Sequence, residues 1–347
     1  MTELPSILGY RWPAEWESHE ATWLTWPYKD DSFPGLLQSI YDSYLKFIKE
    51  ISKSEKVRIN VPNEIEKNKL FQYIQNYNIP TEQIEVFINP SNDVWCRDHG
   101  PIFLVNSKNT HGKVVLKWEF NGWGNKYPAD LDNKIAESIA KQFGFKIYRP
   151  GIILEGGSID GNGRGTVLTT KSCLLNENRN PHLSLSQIEK FLRDFLAIEQ
   201  ILWLEKGIEG DDTDGHIDDI TRFVNEDTVI TMIEVNKGDS NYEPLRENLK
   251  LLNSMRLSNG KQFNIVDIPM PKPVIYKGDR MPASYANFYI CNNSVIVPTF
   301  RCNNDDVALK IISEVFPNRN IVGIDSYEII VGLGSFHCLS QQEPGLS

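Results

Sequence analysis

The chain has 347 residues, 40% of them hydrophobic and 24% charged, and a formal net charge of −10. That composition excludes long disorder and collagen-like repeats. The acid excess argues against a protein that grips nucleic-acid phosphates and is compatible with a cationic substrate.

The elements follow in chain order. Leu36, Leu37, Ile40, Tyr44, Phe47, Ile48 and Ile51 recur at helical spacing and predict a helix with one buried stripe. Leu131, Ile135, Ile139 and Phe143 predict a second, placed after Pro128 and Asp130 and stopped by Gly144. Further helices are expected over 186–198, 243–257 and 304–316. Between them stand three similar strand phrases at Thr166–Thr169, Thr228–Thr231 and Ser294–Val297, each fed by a polar turn. Ile220–Val224 and Asn287–Ile290 supply hairpin partners for the last two. The spacing gives an α/β unit of about 65 residues, strands plus a helix, with about five copies in the chain. One such unit cannot cover both faces of its sheet, so the units are expected to pack around a common centre as one domain over 1–347.

No run approaches the apolar length of a membrane helix, and the first sixteen residues lack the pattern of a signal peptide. The cysteines, Cys96, Cys173, Cys291, Cys302 and Cys338, are odd in number and widely spaced, with no CxxC pair. They read as reduced thiols of a cytoplasmic protein, without a disulfide framework or zinc knuckle. Neither a membrane nor a nucleic acid is an expected partner, and a homo-oligomer is left open.

Five polar clusters interrupt the apolar phrases: Asn92–Pro101, Leu154–Ser158, Asp211–Asp218, Ser284–Asn287 and Gly332–Gln342. Their key positions, 98, 155, 216, 287 and 338, keep nearly the strand rhythm, so they are expected to converge on one pocket. Gly161–Gly165 reads as a tight turn and not as a nucleotide loop. Cys338 follows Gly332 and Gly334, which allow backbone to approach a ligand closely. A buried structural cysteine is the plain alternative to a nucleophile. His216 and Asp218 are expected to alternate along a strand and share a face, with a satisfied histidine or a metal pair as the alternatives. Asp98 and Glu155 are expected at strand ends, where a salt bridge or turn carboxylate would also be ordinary. Several acids in one apolar pocket repel one another unless a cation binds. A guanidinium is planar, permanently charged and presents paired N–H donors to carboxylates, while a thiol can attack its carbon. Trp95, Trp118, Trp123 and Tyr127 lie near the first acid, and one or two are candidates to stack on a cation.

These phrases, together with Phe120–Tyr127 and Asn176–Pro181, resemble the agmatine deiminase family, which also holds the bacterial-type peptidylarginine deiminases. The resemblance runs over nearly the whole chain. It implies the pentein fold, a five-bladed pseudo-symmetric α/β propeller of strand-strand-helix-strand units. It implies hydrolysis of agmatine to N-carbamoylputrescine and ammonia, as in polyamine metabolism, with no metal or organic cofactor. By the same resemblance Cys338 attacks the guanidinium carbon, His216 moves protons, Asp98 and Asp218 hold the guanidinium nitrogens, and Glu155 orients His216. Trp95, Asp212 and Asp214 would line the substrate channel, with Trp123 and Gly334 also at the substrate. Leu333, Ser335 and Phe336 depart from the family's catalytic loop, as do Tyr28, Lys29 and Asp30 from its early Trp-Pro phrase. Deimination of arginine in peptides, amidino transfer and a non-catalytic binder of the same fold are the alternatives.

Overall fold

In a computed structural model of the chain, residues 3–106, 108 and 111–346 are described. The three strand phrases form Thr166–Thr170, Thr228–Ile233 and Ser294–Thr299. Each pairs antiparallel with a short strand before it: Ile159–Gly161, Thr221–Phe223 and Tyr289–Ile290. Each also pairs parallel with a strand after it: Gln200–Leu204, Asn264–Pro269 and Asn320–Asp325. A tight turn closes the first kind of pair, but a parallel neighbour needs a crossover. The expected helices, here Leu185–Leu196, Tyr242–Ser254 and Asn304–Val315, provide it. Ile102–Val105, Lys113–Leu116 and Lys146–Tyr148 repeat the plan across the helix Ile135–Phe143, which ends on Gly144 at φ 70°.

A fifth sheet joins the two ends of the chain. Ser340–Pro344 runs antiparallel to His19–Thr25, which runs parallel to Lys56–Val61 across the helix Leu37–Ile51. Ile84–Ile88 extends that sheet by one strand. The helix Glu64–Asn76 before it is not predicted by the sequence pattern. It buries only Leu70 and Ile74, so its apolar stripe is thin, and its start is fixed by Asn63, whose side chain accepts from the Glu66 N–H at 3.0 Å. Nor does the sequence pattern predict a two-stranded hairpin, Ile275–Tyr276 with Asp279–Arg280.

The sheets are tied together by a buried charged cluster. Glu15 precedes the fifth sheet, and its Oε2 accepts from Arg97 Nη2 at 3.2 Å and Arg222 Nη2 at 3.0 Å. Arg97 leads into Ile102–Val105, and Arg222 lies in Thr221–Phe223. Arg222 Nε donates to Asp160 Oδ1 at 2.8 Å, and its Nη1 donates to the Phe288 carbonyl at 3.0 Å. Glu15 Oε1 accepts from the Ile290 N–H at 2.9 Å. Every sheet of these five therefore contributes a group at or beside one of its strands to this cluster.

Candidate active site

All five polar clusters supply side chains to one buried constellation around Asp218. Asp218 belongs to a single 3-10 turn, Ile217–Asp219, that His216 caps. This corrects the expectation of a strand: the two side chains meet because the turn folds them together, with His216 Nδ1 3.9 Å from Asp218 Oδ1. Asp98 is likewise not at a strand end but in the short helix Cys96–His99, and Glu155 precedes the turn Gly156–Ser158. Asp98 Oδ1 lies 3.8 Å from His216 Nδ1. Cys338 Sγ lies 3.6 Å from Asp218 Oδ2, on the same carboxyl group that His216 approaches.

Glycine makes this convergence possible. A Cβ on Gly157 would stand 2.6 Å from His216 Nδ1 and 2.9 Å from Asp98 Oδ1, so only glycine fits there. Its N–H also donates to Asp98 Oδ1 at 2.9 Å. Gly334 plays the matching part beside the thiol, where a Cβ would stand 2.6 Å from the Trp95 ring and 3.0 Å from Cys338 Cβ.

The charges are unevenly matched. Burial raises the Asp98 pKa, with help from the Asp218 charge, although His216 and the Trp123 N–H act the other way. Burial opposes ionisation of Asp218 too, but His337, His216 and Arg222 outweigh it and hold the group lowered. For His216, burial disfavours the cation, yet Asp98, Cys173 and Asp218 together hold the imidazole well above its ordinary range. Burial and then the charges of Asp218, Asp219 and Asp98 push the Cys338 thiol well up. Among the described residues, three buried polar atoms here lack a hydrogen-bond partner: His216 Nε2, Asp218 Oδ1 and Glu155 Oε2.

The constellation opens through Asp98 and Cys338 into a cavity of about 290 Å³. Trp95, Trp123, Asp212 and Gly334 line it, and so do Asp31, Asp93, Tyr127 and Leu333. Trp123 Nε1 donates to Asp98 Oδ2 at 2.9 Å, and Tyr127 OH donates to Asp212 Oδ2 at 2.6 Å. One lysine, Lys29, reaches the wall, with its Nζ on the Ser91 and Asn92 carbonyls at 3.3 Å each. Trp118 is elsewhere, lining a small separate space behind His99.

Asp214 does not line the cavity. It accepts from Lys126 Nζ at 2.9 Å, Asn178 Nδ2 at 3.0 Å and Arg179 Nη1, so its charge is already matched. Arg179 also binds Glu155 Oε1 through Nε at 2.8 Å. Glu155 reaches His216 only in part: the donor atoms of Glu155, Cys173 and His216 lie within 4.8 Å of one another, without a hydrogen bond from Glu155 to the ring. Asp218, Asp219 and Cys338 form a second such set of buried donors, and either could in geometry approach a metal ion.

Further side chains, for which the sequence suggests no specific role, complete the constellation. Asn287 Nδ2 donates to Cys338 Sγ at 2.9 Å and to Asp219 Oδ1 at 3.0 Å. Asp211 Oδ2 accepts from the His216 N–H at 3.1 Å and shapes the loop before it. Asn287 kept the spacing rhythm of the clusters, and that signal was available. Asp219 and Arg179 gave none, because their roles depend on contacts across the fold.

Comparison with known proteins agrees over the whole chain. The family model for Porphyromonas-type peptidyl-arginine deiminase matches residues 11–344. A Legionella pneumophila protein that carries the provisional name agmatine deiminase is 35% identical over 347 residues, covering 99% of this chain and 97% of its own. The agmatine deiminase of Enterococcus faecalis superposes with a TM-score of 0.92 at 32% identity, covering 100% of this chain and 99% of its own. A cysteine-to-serine variant of the C. jejuni agmatine deiminase, solved with substrate bound, gives 0.86 at 35% identity over 96% of each chain. The chain belongs to the Porphyromonas-type peptidyl-arginine deiminase family.

Proposed function

We propose that this chain, an agmatine deiminase-like hydrolase of C–N bonds, converts agmatine and water to N-carbamoylputrescine and ammonia. The observation that carries this is an excess of buried acid around the Cys338 thiol and the His216 imidazole. A planar cation between Asp98 and Asp218 relieves that excess and gives their oxygens N–H donors. It also supplies positive charge beside Cys338, where the protein's own groups are mainly acidic, so substrate itself favours the thiolate. The thiolate forms a bond to the guanidinium carbon. His216, protonated, gives its proton to the departing nitrogen, and ammonia leaves a thiouronium on Cys338. Neutral His216 then takes a proton from water and the hydroxide adds to the same carbon; the C–S bond breaks with its electron pair returning to sulfur as thiolate, and the added hydroxyl loses its proton to solvent to give the neutral ureido product. Asp31, Asp93 and Asp212 in the cavity wall suit a second cationic end. The same reading takes 1–347 as one catalytic domain and its five sheets as the blades of a pentein propeller, because all five meet the Glu15 cluster.

Purified protein is expected to release ammonia from agmatine, and Cys338→Ala to abolish the release. Full activity in that variant would remove the mechanism. The family model's name favours a second reading, arginine within peptides. Turnover of a blocked arginine peptide above that of agmatine would establish it.

A further inference from the structure

His337 precedes Cys338 in sequence, yet its ring is not part of the cavity wall. Its Nδ1 lies 2.6 Å from Asp218 Oδ2 and its Nε2 lies 2.8 Å from Glu15 Oε2. A ring with a carboxylate at each nitrogen makes both hydrogen bonds only when both nitrogens carry hydrogen. Both ends of this bridge are fixed. Glu15 is held by Arg97, Arg222 and the Ile290 N–H, and the His337 N–H donates to Asn287 Oδ1 at 3.0 Å. Asp218 is thus tied through Oδ2, while Oδ1, 3.9 Å from His216 Nδ1, has no hydrogen-bond partner among the described residues.

We propose that His337 is a positioning residue for the guanidine reaction: anchored on Glu15, it grips one oxygen of Asp218 and aims the other at the substrate. This rests on the reading that Asp218 holds the guanidinium. It brings a residue near the start of the chain into the control of the site, 322 positions from the histidine it holds. A contact to the cationic guanidinium is present before and during attack, so its misalignment shows mainly in KM.

Two substitutions separate the halves of the bridge. His337→Asn places an amide donor near the position of Nδ1, and His337→Gln places one near that of Nε2. His337→Gln is expected to raise KM for agmatine roughly ten- to a hundredfold, the range for a hydrogen bond to a charged group. His337→Asn should recover most of that loss, and kcat should change less than KM in both. Calorimetric agmatine affinities in a Cys338→Ser background should fall in the same order. Equal KM values for the two variants, or a loss wholly in kcat, would overturn the proposal. Asp218→Asn separates the two readings: an unchanged KM there sinks both, whereas a raised KM with equal His337 variants sinks only this one. Should His337→Gln fail to fold, His337→Asn alone carries the test: it keeps the donor to Asp218, and a tenfold or greater rise in its KM would overturn the proposal.

Discussion

Two buried charged regions lie side by side in this protein and are built on opposite principles. In the cluster around Glu15, two acids face two arginines, and Glu15, Asp160, Arg97 and Arg222 all have partners for their charged ends. Around Asp218, carboxylates crowd the Cys338 thiol and the His216 imidazole, and three polar atoms lack a hydrogen-bond partner among the described residues. Burying charge is costly, so a matched cluster holds a fold together, whereas an unmatched one stores affinity for whatever completes it. His337 is the ring that touches both.

Breaking the matched cluster should chiefly affect folding. Arg222→Met leaves Glu15 and Asp160 short of a buried cation and is expected to lose about 3–5 kcal/mol in denaturant unfolding. Breaking the unmatched one should chiefly affect turnover. Asp98→Asn is expected to lower kcat/KM by about a hundredfold or more, the order seen when a group stabilising charge in the reaction is removed. Its unfolding free energy should hold or rise, because Asp98 ionises against burial and the Asp218 charge. A large stability loss in Asp98→Asn would erase the distinction between the two regions.

Acidity sharpens the contrast further. Burial works against the His216 cation, but neighbouring charge, Asp98 foremost, holds the ring well above its ordinary range. Its proton is therefore present at neutral pH and is lost only as pH rises through that elevated value, so kcat should stay level across neutrality and fall on the alkaline side. Asp98→Asn should move the alkaline fall to lower pH, read from a kcat profile. In the same experiment Glu15→Gln should move it less, since the groups that hold the ring up are Asp98, Cys173 and Asp218.

The smallest effect concerns the wall of the cavity. Leu333 occupies the left-handed region at φ 71°, a conformation that favours glycine. Leu333→Gly should be more stable than Leu333→Ala by about 1 kcal/mol, the reverse of their order in a helix. Thermal unfolding of the pair isolates this backbone strain from the packing that both variants lose.

The polar phrases around Asp98, Glu155, His216 and Cys338 were legible because they interrupt β-branched runs at nearly regular intervals. The position of Asp214 is not legible in the sequence, because Arg179 and Lys126, which hold its carboxylate, lie far off along the chain. Glu15 and His337 were invisible as a pair for the same reason.

The residues alone determined the unit: alternating strands, a helix long enough to cross over, and glycines where backbone must pass close. Those are local properties of the chain, set by periodicity and turn chemistry. Which carboxylates are matched and which are left wanting was decided only when the sheets came together. That balance depends on distances between residues hundreds of positions apart, and no local pattern encodes a distance.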